Sequence, residues 1–428
     1  MITYFSRFFY KIFKRFFGEH FDEVGFITYS NNIQWFTIAR IVSMAISLCS
    51  TIVIARLLGP SAFGLFNYVL SIVALFTILS NLGISNILYK QLTLEKEKRE
   101  EIFGSAFFLN MITATIAITI VMISLIFIRE TWYVKSLILL LSLTFVTYPF
   151  TLLSFDFLKD TEAKYVTITQ IITLLISTIS KIAVIYYFNS IAYMIIVLVL
   201  ENLVAGAIYA YQILRIKKRT LTFRVNRDRV LLIFSLSLPL ILYGAFSEIY
   251  ARIDQIMLKY YLNTAAVGFY SASVRLTELW YMVPNILTGA LFPALANAKD
   301  DNVTYQKRYD MLLTILAGAS IVISIVVFFF RDFLIGLIYG KDFVQSSPIL
   351  GVYIFSLVGF FLSTLIYQDL FIRHSNKWLV ALLPLSTAVL NIIGNIILIP
   401  LYGTVGAAIA TTVSYNIVPL FFFIIRKL

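Results

Sequence analysis

Along most of the chain, long apolar runs alternate with short polar breaks. Twelve such runs lie near 33–58, 64–89, 102–128, 133–155, 165–188, 191–214, 229–251, 265–290, 309–330, 348–372, 377–399 and 403–425. A hydrocarbon core about 30 Å thick takes roughly 20 apolar residues of helix, so each run predicts one membrane-spanning helix, six in each half. Barrel strands of about ten alternating residues do not fit runs this continuous. The expected fold is an all-α polytopic membrane protein.

Just beyond the first run of each half stands a related stretch, LGPSAFGLF at 58–66 and LNTAAVGFY at 262–270. Leu58, Ala62 and Gly64 recur as Leu262, Ala266 and Gly268, at an offset of 204 residues. Self-similarity at half the chain length predicts two pseudo-symmetric six-helix lobes, and in membrane proteins internal repeats of this kind typify transporters. The lobes are expected over 31–214 and 229–428, with a basic linker over 215–228 between them. Gly59, Pro60, Gly64 and Gly268 are expected to set hairpin geometry at the outer mouth, as turn or packing residues.

Composition agrees with the pattern: 60% of the 428 residues are apolar, 13% are charged, and mean hydropathy is +0.90. The net charge of +12 invites a nucleic-acid reading, but the cations are dispersed and no recognition motif accompanies them. Their distribution is topological instead. Of 34 Lys and Arg, 24 fall in one alternate set of breaks, 7 in the other, and 3 inside runs. Cationic loops stay in the cytoplasm, so both termini are expected inside. The linker RIKKRTLTFRVNRDR at 215–229 holds seven of the cations and reads as a solvated cytoplasmic loop. Residues 1–30 are neither a span nor a cleavable signal, because Arg7, Lys11, Lys14 and Arg15 interrupt them. Phe5, Phe8, Phe9, Ile12, Phe13 and Phe16 repeat at helical spacing and predict an amphipathic helix on the anionic inner leaflet. Cys49 is the one cysteine, which excludes a disulfide framework or a cysteine metal site.

Chemistry is therefore sought among ionisable groups inside the spans, each costing at least about 2.5–3.5 kcal/mol to insert. The cations are Arg40, Lys181 and Arg275; the acids are Glu201, Glu248 and Glu278, with Asp369 nearer the inner end and Arg252 and Asp254 near the outer one. Lys181 and Glu201 fall at similar depths on consecutive helices and can pair. Glu248 with Arg252, and Asp369 with Arg373, stand at i and i+4 in the favourable order, and Arg275 can reach Glu278 at i+3. Arg40 has no acid in its run. An arginine held there suits a phosphate or pyrophosphate, which its planar fork binds in bidentate fashion.

IARLLGPSAFGLFNYVLSI at 54–72, the stretch 252–296 beginning RIDQIMLKYYLNTAAVGFY, and IYGKDF at 338–343 resemble polysaccharide-biosynthesis flippases of the Wzx, or O-antigen, type. These belong to the multidrug/oligosaccharidyl-lipid/polysaccharide (MOP) exporter superfamily, which includes the MATE transporters. The resemblance covers roughly 30–425. It implies a V-shaped pair of lobes, alternating access, and a polyprenyl pyrophosphate-linked oligosaccharide that leaves the inner leaflet for O-antigen, capsule or other surface polysaccharide. Arg40, Arg275 and Lys181 would hold the pyrophosphate. A proton or sodium gradient would drive exchange through Glu248, Asp254 or Glu201, with no cofactor or metal. Its setting would be a bacterial inner membrane, its partners the bilayer, a polysaccharide polymerase and chain-length machinery. A drug or organic-cation antiporter of the same superfamily would favour an acid over Arg40 in the first lobe. A membrane-embedded sugar polymerase would need catalytic groups in sizeable loops, yet the only histidines are His20 and His374, both expected in the cytoplasm. No phosphate-binding loop of an ATP-driven pump is present, so the chain is not expected to be an enzyme.

Overall fold

The computed structural model describes residues 23–299, 301–373 and 378–427. The aromatic face expected near the N-terminus lies outside them, as do both histidines. Every regular element among the described residues is helical. In order they are α1 (Glu23–Asn81), α2 (Ile84–Leu94), α3 (Arg99–Phe127), α4 (Trp132–Leu158, its later part in single turns), α5 (Ala163–Phe188), α6 (Ile191–Arg215), α7 (Arg227–Tyr261), α8 (Thr264–Glu278), α9 (Met282–Ala296), α10 (Asn302–Ile338), α11 (Ser346–Tyr353), α12 (Ser356–Arg373) and α13 (Trp378–Lys427).

Among the described residues, eight segments are long and apolar enough to cross a membrane, including Arg40–Asn81 with 42 residues and Leu382–Phe422 with 41. At 1.5 Å per residue each of these two is about 60 Å of helix, twice a hydrocarbon core. Both break once, at Gly59 (φ 69°) and at Gly403 (φ 58°). A methyl on Gly406 would run into the Leu398 carbonyl, and one on Gly394 would touch Ala410 at 3.0 Å. Those paired approaches make the two rods of α13 an antiparallel hairpin. With two passes each from α1 and α13, and with α7 and α8–α9 added, the twelve expected passes are present.

Local sequence sets where the rods begin and end. A methyl on Gly59 would meet nothing within 4 Å; what demands glycine is the positive φ, which L side chains rarely adopt. Pro60 then opens the second rod, where its fixed φ and missing N–H cost nothing. Asn263 caps α8 by accepting from the Ala266 N–H at 2.9 Å, and Asp301 caps α10 from Val303 and Thr304. Large apolar side chains such as Ile179, Phe329 and Leu401 remain exposed on their helices, as lipid-facing residues do.

Two expectations change. The repeated stretches are not outer loops: the turn is confined to about Leu58–Gly59 in one copy and to Leu262 and Asn263 in the other, and the rest of each is helix. Because α7 runs on to Tyr261, Arg252 and Asp254 lie within a helix, where the run of apolar residues had stopped at 251. The chain also condenses into two compact units that divide elsewhere than at the linker, one holding Met1–Thr51 with Leu79–Ser237, the other Ile52–Ile78 with Leu238–Leu428. The hairpin from the first half thus packs with the second.

That packing is built on the repeat. Within the second unit, Gly64 lies against the Thr264 carbonyl and the Gly268 nitrogen, while Gly268 lies against the Pro60 carbonyl. Thr264 is the repeat counterpart of Pro60, and Gly268 of Gly64, so the contact is close to two-fold symmetric. Ser61 Oγ and Thr264 Oγ1 share a hydrogen bond of 2.9 Å at the same crossing. Small residues let two backbones approach this closely, a recurrent device of membrane helices.

Candidate functional site

The first unit carries two of the expected site cations. Arg40, on the first rod of α1, is exposed and has no ion pair among the described residues. Lys181 on α5 is different: it is 8% exposed and pairs with Glu201 of α6 at 3.7 Å. Glu201 also accepts a short hydrogen bond from Ser177 Oγ. A buried cation already neutralised in this way holds α5 to α6, so the structure sets Lys181 and Glu201 against each other as an interhelical pair.

The charged breaks of this unit form a dense ionic clamp. Asp156, wholly buried, receives Arg99 at 2.6 Å, Lys159 at 3.0 Å, Arg219 at 3.5 Å and Lys217 at 3.9 Å. Lys217 reaches Asp160 at 2.7 Å and lies 4.5 Å over the Phe157 ring, which sits in a core with Leu153, Val166, Tyr209 and Ile213. Partial burial alone would raise the Asp160 pKa, but hydrogen bonds from Lys217 and Arg219 outweigh it and hold the carboxyl below its ordinary value. At the other end of the linker, Arg229 is bidentate on Glu95 at 2.7 and 2.8 Å and also meets Gln91 and Glu101. The linker is therefore docked at Lys217, Arg219 and Arg229 where a freely solvated loop was expected, while Arg215, Lys218, Arg224 and Arg227 stay exposed. Its cations find acids at 95, 101, 156 and 160 that the count of positive charges passes over.

The second unit holds the remaining charges. Arg275 on α8 pairs with Glu278 at 2.9 Å and is about one-third exposed. Glu248 and Arg252 of α7 are half-buried; the Arg252 charge acts on Glu248, but the two do not close into a direct ion pair. Arg252 thus joins Arg40 as a guanidinium inside a span without an ion-pair partner among the described residues. Near the end of α12, Asp369 accepts from the Tyr305 hydroxyl at 2.6 Å; the Arg373 side chain lies outside the described set.

Asp254 is the most enclosed charge in this unit, at 2% exposure. Its carboxylate accepts from the Tyr270 hydroxyl, from Asn395 Nδ2, and from Thr411 Oγ1 at 2.6 Å. Asn395 in turn donates to Asn391 Oδ1 at 3.0 Å, and Asn391 to Thr411 at 3.1 Å. α7, α8 and both rods of α13 thus meet at one acid surrounded by neutral groups. No cation neutralises it among the described residues, and the buried Asn395 Oδ1 has no hydrogen-bond partner. A carboxylate and an orphan amide oxygen, with a threonine beside them, form the oxygen set that a proton or a small hard cation takes. Sequence reading named Asp254 but missed its partners. Their signal was available in Asn391 and Asn395, two asparagines at i, i+4 within an apolar run.

Known proteins share this fold. The model of a family described as polysaccharide biosynthesis protein matches residues 30–299. A probable low-salt glycan biosynthesis flippase, Agl15 of Haloferax volcanii, is 25% identical over 172 residues, covering 39% of this chain and only 36% of its own length. The capsular polysaccharide biosynthesis protein CapF of Staphylococcus aureus is 24% identical over 402 residues, 90% of this chain and 95% of that one. Among solved structures, the lipid II flippase MurJ in an inward closed conformation superposes with a TM-score of 0.70 at 17% identity, covering 92% of this chain and 87% of that one. An inward-facing MATE transporter of the MOP superfamily gives 0.69 at 15% identity, covering 92% and 97%.

Proposed function

We propose that this chain, which belongs to the polysaccharide biosynthesis protein family, is a flippase for lipid-linked oligosaccharides. It carries the polar head of the lipid from the inner to the outer leaflet while the lipid tail stays in the bilayer. The observation that carries this reading is that each unit holds a guanidinium group in a spanning helix without a direct ion pair among the described residues, Arg40 in the first and Arg252 in the second. A cation in such a place costs at least about 2.5–3.5 kcal/mol on insertion scales, and a pyrophosphate would return that through charge-assisted, bidentate hydrogen bonds. Arg275 offers a third guanidinium whose other donors remain free of Glu278. The names of Agl15, a probable flippase, and of MurJ, a lipid II flippase, agree with a lipid-linked substrate.

In the same proposal the lipid is a polyprenyl pyrophosphate and the product a surface polysaccharide. The membrane is a bacterial inner membrane with both termini cytoplasmic, and polymerase and chain-length proteins take up the exported unit. Transport runs by alternating access, driven by a proton or sodium ion exchanged at Asp254. Of the three acids considered, Asp254 is favoured because Glu201 is paired with Lys181, whereas Asp254 has neutral donors and an orphan oxygen beside it. Deleting the gene tests the substrate. Lipid-linked oligosaccharide should accumulate on the cytoplasmic face and clear on complementation; unchanged pools would favour export of organic cations instead.

A further inference from the structure

One cavity lies wholly inside the second unit, about 340 Å³ in volume, between α7, α9, α12 and the two rods of α13. That is at the lower end of small-molecule sites. Its walls are of two kinds. Tyr250, Phe360, Tyr367 and Tyr415 contribute aromatic rings, and amides and hydroxyls supply the rest, with no charged residue among the described lining.

Several donors of the polar walls are already engaged, which leaves their oxygens as acceptors. Thr288, Thr364 and Thr387 each donate to a carbonyl one turn back, at 2.7, 2.9 and 2.9 Å, and Asn285 Nδ2 does the same at 2.6 Å. Each keeps oxygen lone pairs to offer. Gln368 Oε1 is buried and has no partner, an unfavourable state unless something donates to it. Phe360 is held flat by stacking on Tyr281, with ring centroids 3.8 Å apart and planes 12° from parallel.

An occupant must therefore bring several O–H donors, have an apolar face for the rings, and carry no net charge. A lipid tail would strand the amides and hydroxyls. An organic cation would find no carboxylate, and an anion no cation. We propose that this cavity is a subsite for one neutral pyranose ring of the transported glycan; the inference rests on the flippase reading above and assigns the part of the substrate beyond the phosphates. The cavity also adjoins the coupling acid. Tyr250 stands one helical turn from Asp254, Thr387 one turn from Asn391, and Tyr415 one turn from Thr411, so a sugar here sits next to the group proposed to exchange an ion.

The test uses the full chain in lipid nanodiscs with a methyl glucoside bearing a photoactivatable diazirine. Labelling should fall on peptides of α12 and α13, and excess unmodified methyl glucoside should suppress it. Gln368→Leu and Phe360→Leu, checked by thermal unfolding, should weaken protection roughly fivefold to tenfold, the value of a neutral hydrogen bond. Labelling elsewhere, no competition by the neutral sugar, or better competition by glucuronate or ethidium would overturn the proposal, and wild-type labelling decides this even if a variant misfolds. Transport of a lipid-linked glycan is scored separately in vesicles: its absence with labelling intact would count against the flippase reading and leave the sugar site standing.

Discussion

Replacing Gly64 or Gly268 with alanine strikes the crossing where the two copies of the repeat meet. A methyl on Gly64 would stand 2.6 Å from the Gly268 nitrogen and nearer still to the Thr264 carbonyl oxygen; one on Gly268 would stand 2.9 Å from the Pro60 carbonyl carbon and nearer to its oxygen. Ordinary contact is about 3.5–4.0 Å, so the rods must part by at least about 1 Å. Because the obstacles are backbone, nothing flexible can give way, and overpacking of this kind costs about 1–3 kcal/mol. Parting the rods also forfeits the Ser61–Thr264 hydrogen bond, about 0.5–1.5 kcal/mol. Alanine's better helix propensity recovers only about 0.5–1 kcal/mol. The net loss is about 2 kcal/mol for either variant, or roughly 4–8 °C of melting temperature for a unit of this size. In the double variant the rods are already apart, so the loss should fall short of the sum. Gly318→Ala and Gly336→Ala, with nothing within 4 Å of the new methyl, are the controls and should melt at or slightly above the wild-type temperature. Thermal unfolding in detergent measures all five variants beside the wild type. Wild-type stability for Gly64→Ala and Gly268→Ala would refute the account of this crossing.

Three further outcomes are expected. Lys181→Glu and Glu201→Lys should each lower stability by about 3 kcal/mol, as breaking a buried pair does, and the double swap should regain most of it; a swap as damaged as the singles would show the two do not act as a pair. Glu95 is held down to about 2 by the hydrogen bond from Arg229. A depressed carboxylate contributes stability above its ordinary value near 4.5 and loses it as pH falls toward 2. Amide exchange around Glu95, corrected for its intrinsic pH dependence, should hence be flat from pH 8 to 5 and rise below 4.5, a rise that Glu95→Gln would show already at neutral pH. Asp254→Asn should abolish accumulation against a gradient while leaving equilibration down the gradient; unimpaired accumulation in vesicles under an imposed proton or sodium gradient would remove Asp254 from the coupling role.

How far the sequence could be read depended on the range of the interactions involved. Each membrane pass is an unbroken apolar run, a local signal, and Gly59 followed by Pro60 marks its turn within two residues. The Gly64–Gly268 approach was foreshadowed because a repeat writes the same contact twice. The surroundings of Asp254 were not legible: Tyr270 is near in the chain, but Asn395 and Thr411 are 141 and 157 residues away, and no spacing rule joins them. The ionic clamp was hidden for another reason. Its lysines and arginines had already been used to assign the cytoplasmic side, and the same charges also serve buried pairs with Asp156, Asp160 and Glu95. Arg252 was discounted by a local rule that the structure obeys only in part, since Glu248 stands at the right spacing on α7 and feels its charge, yet the two close no direct ion pair.

The central claim is that guanidinium groups in the spans carry the phosphates of a lipid-linked glycan across the bilayer. The direct measurement places the purified protein in liposomes whose inner leaflet holds a labelled polyprenyl pyrophosphate-linked oligosaccharide, and follows the label as it becomes open to a glycosidase outside. Wild-type protein should expose the glycan far faster than protein-free liposomes do. Arg40→Ala should slow it roughly tenfold to a hundredfold, the worth of a hydrogen bond to a charged group, at unchanged protein incorporation. A wild-type rate no greater than that of empty liposomes, or an Arg40→Ala rate equal to wild type, would contradict the claim.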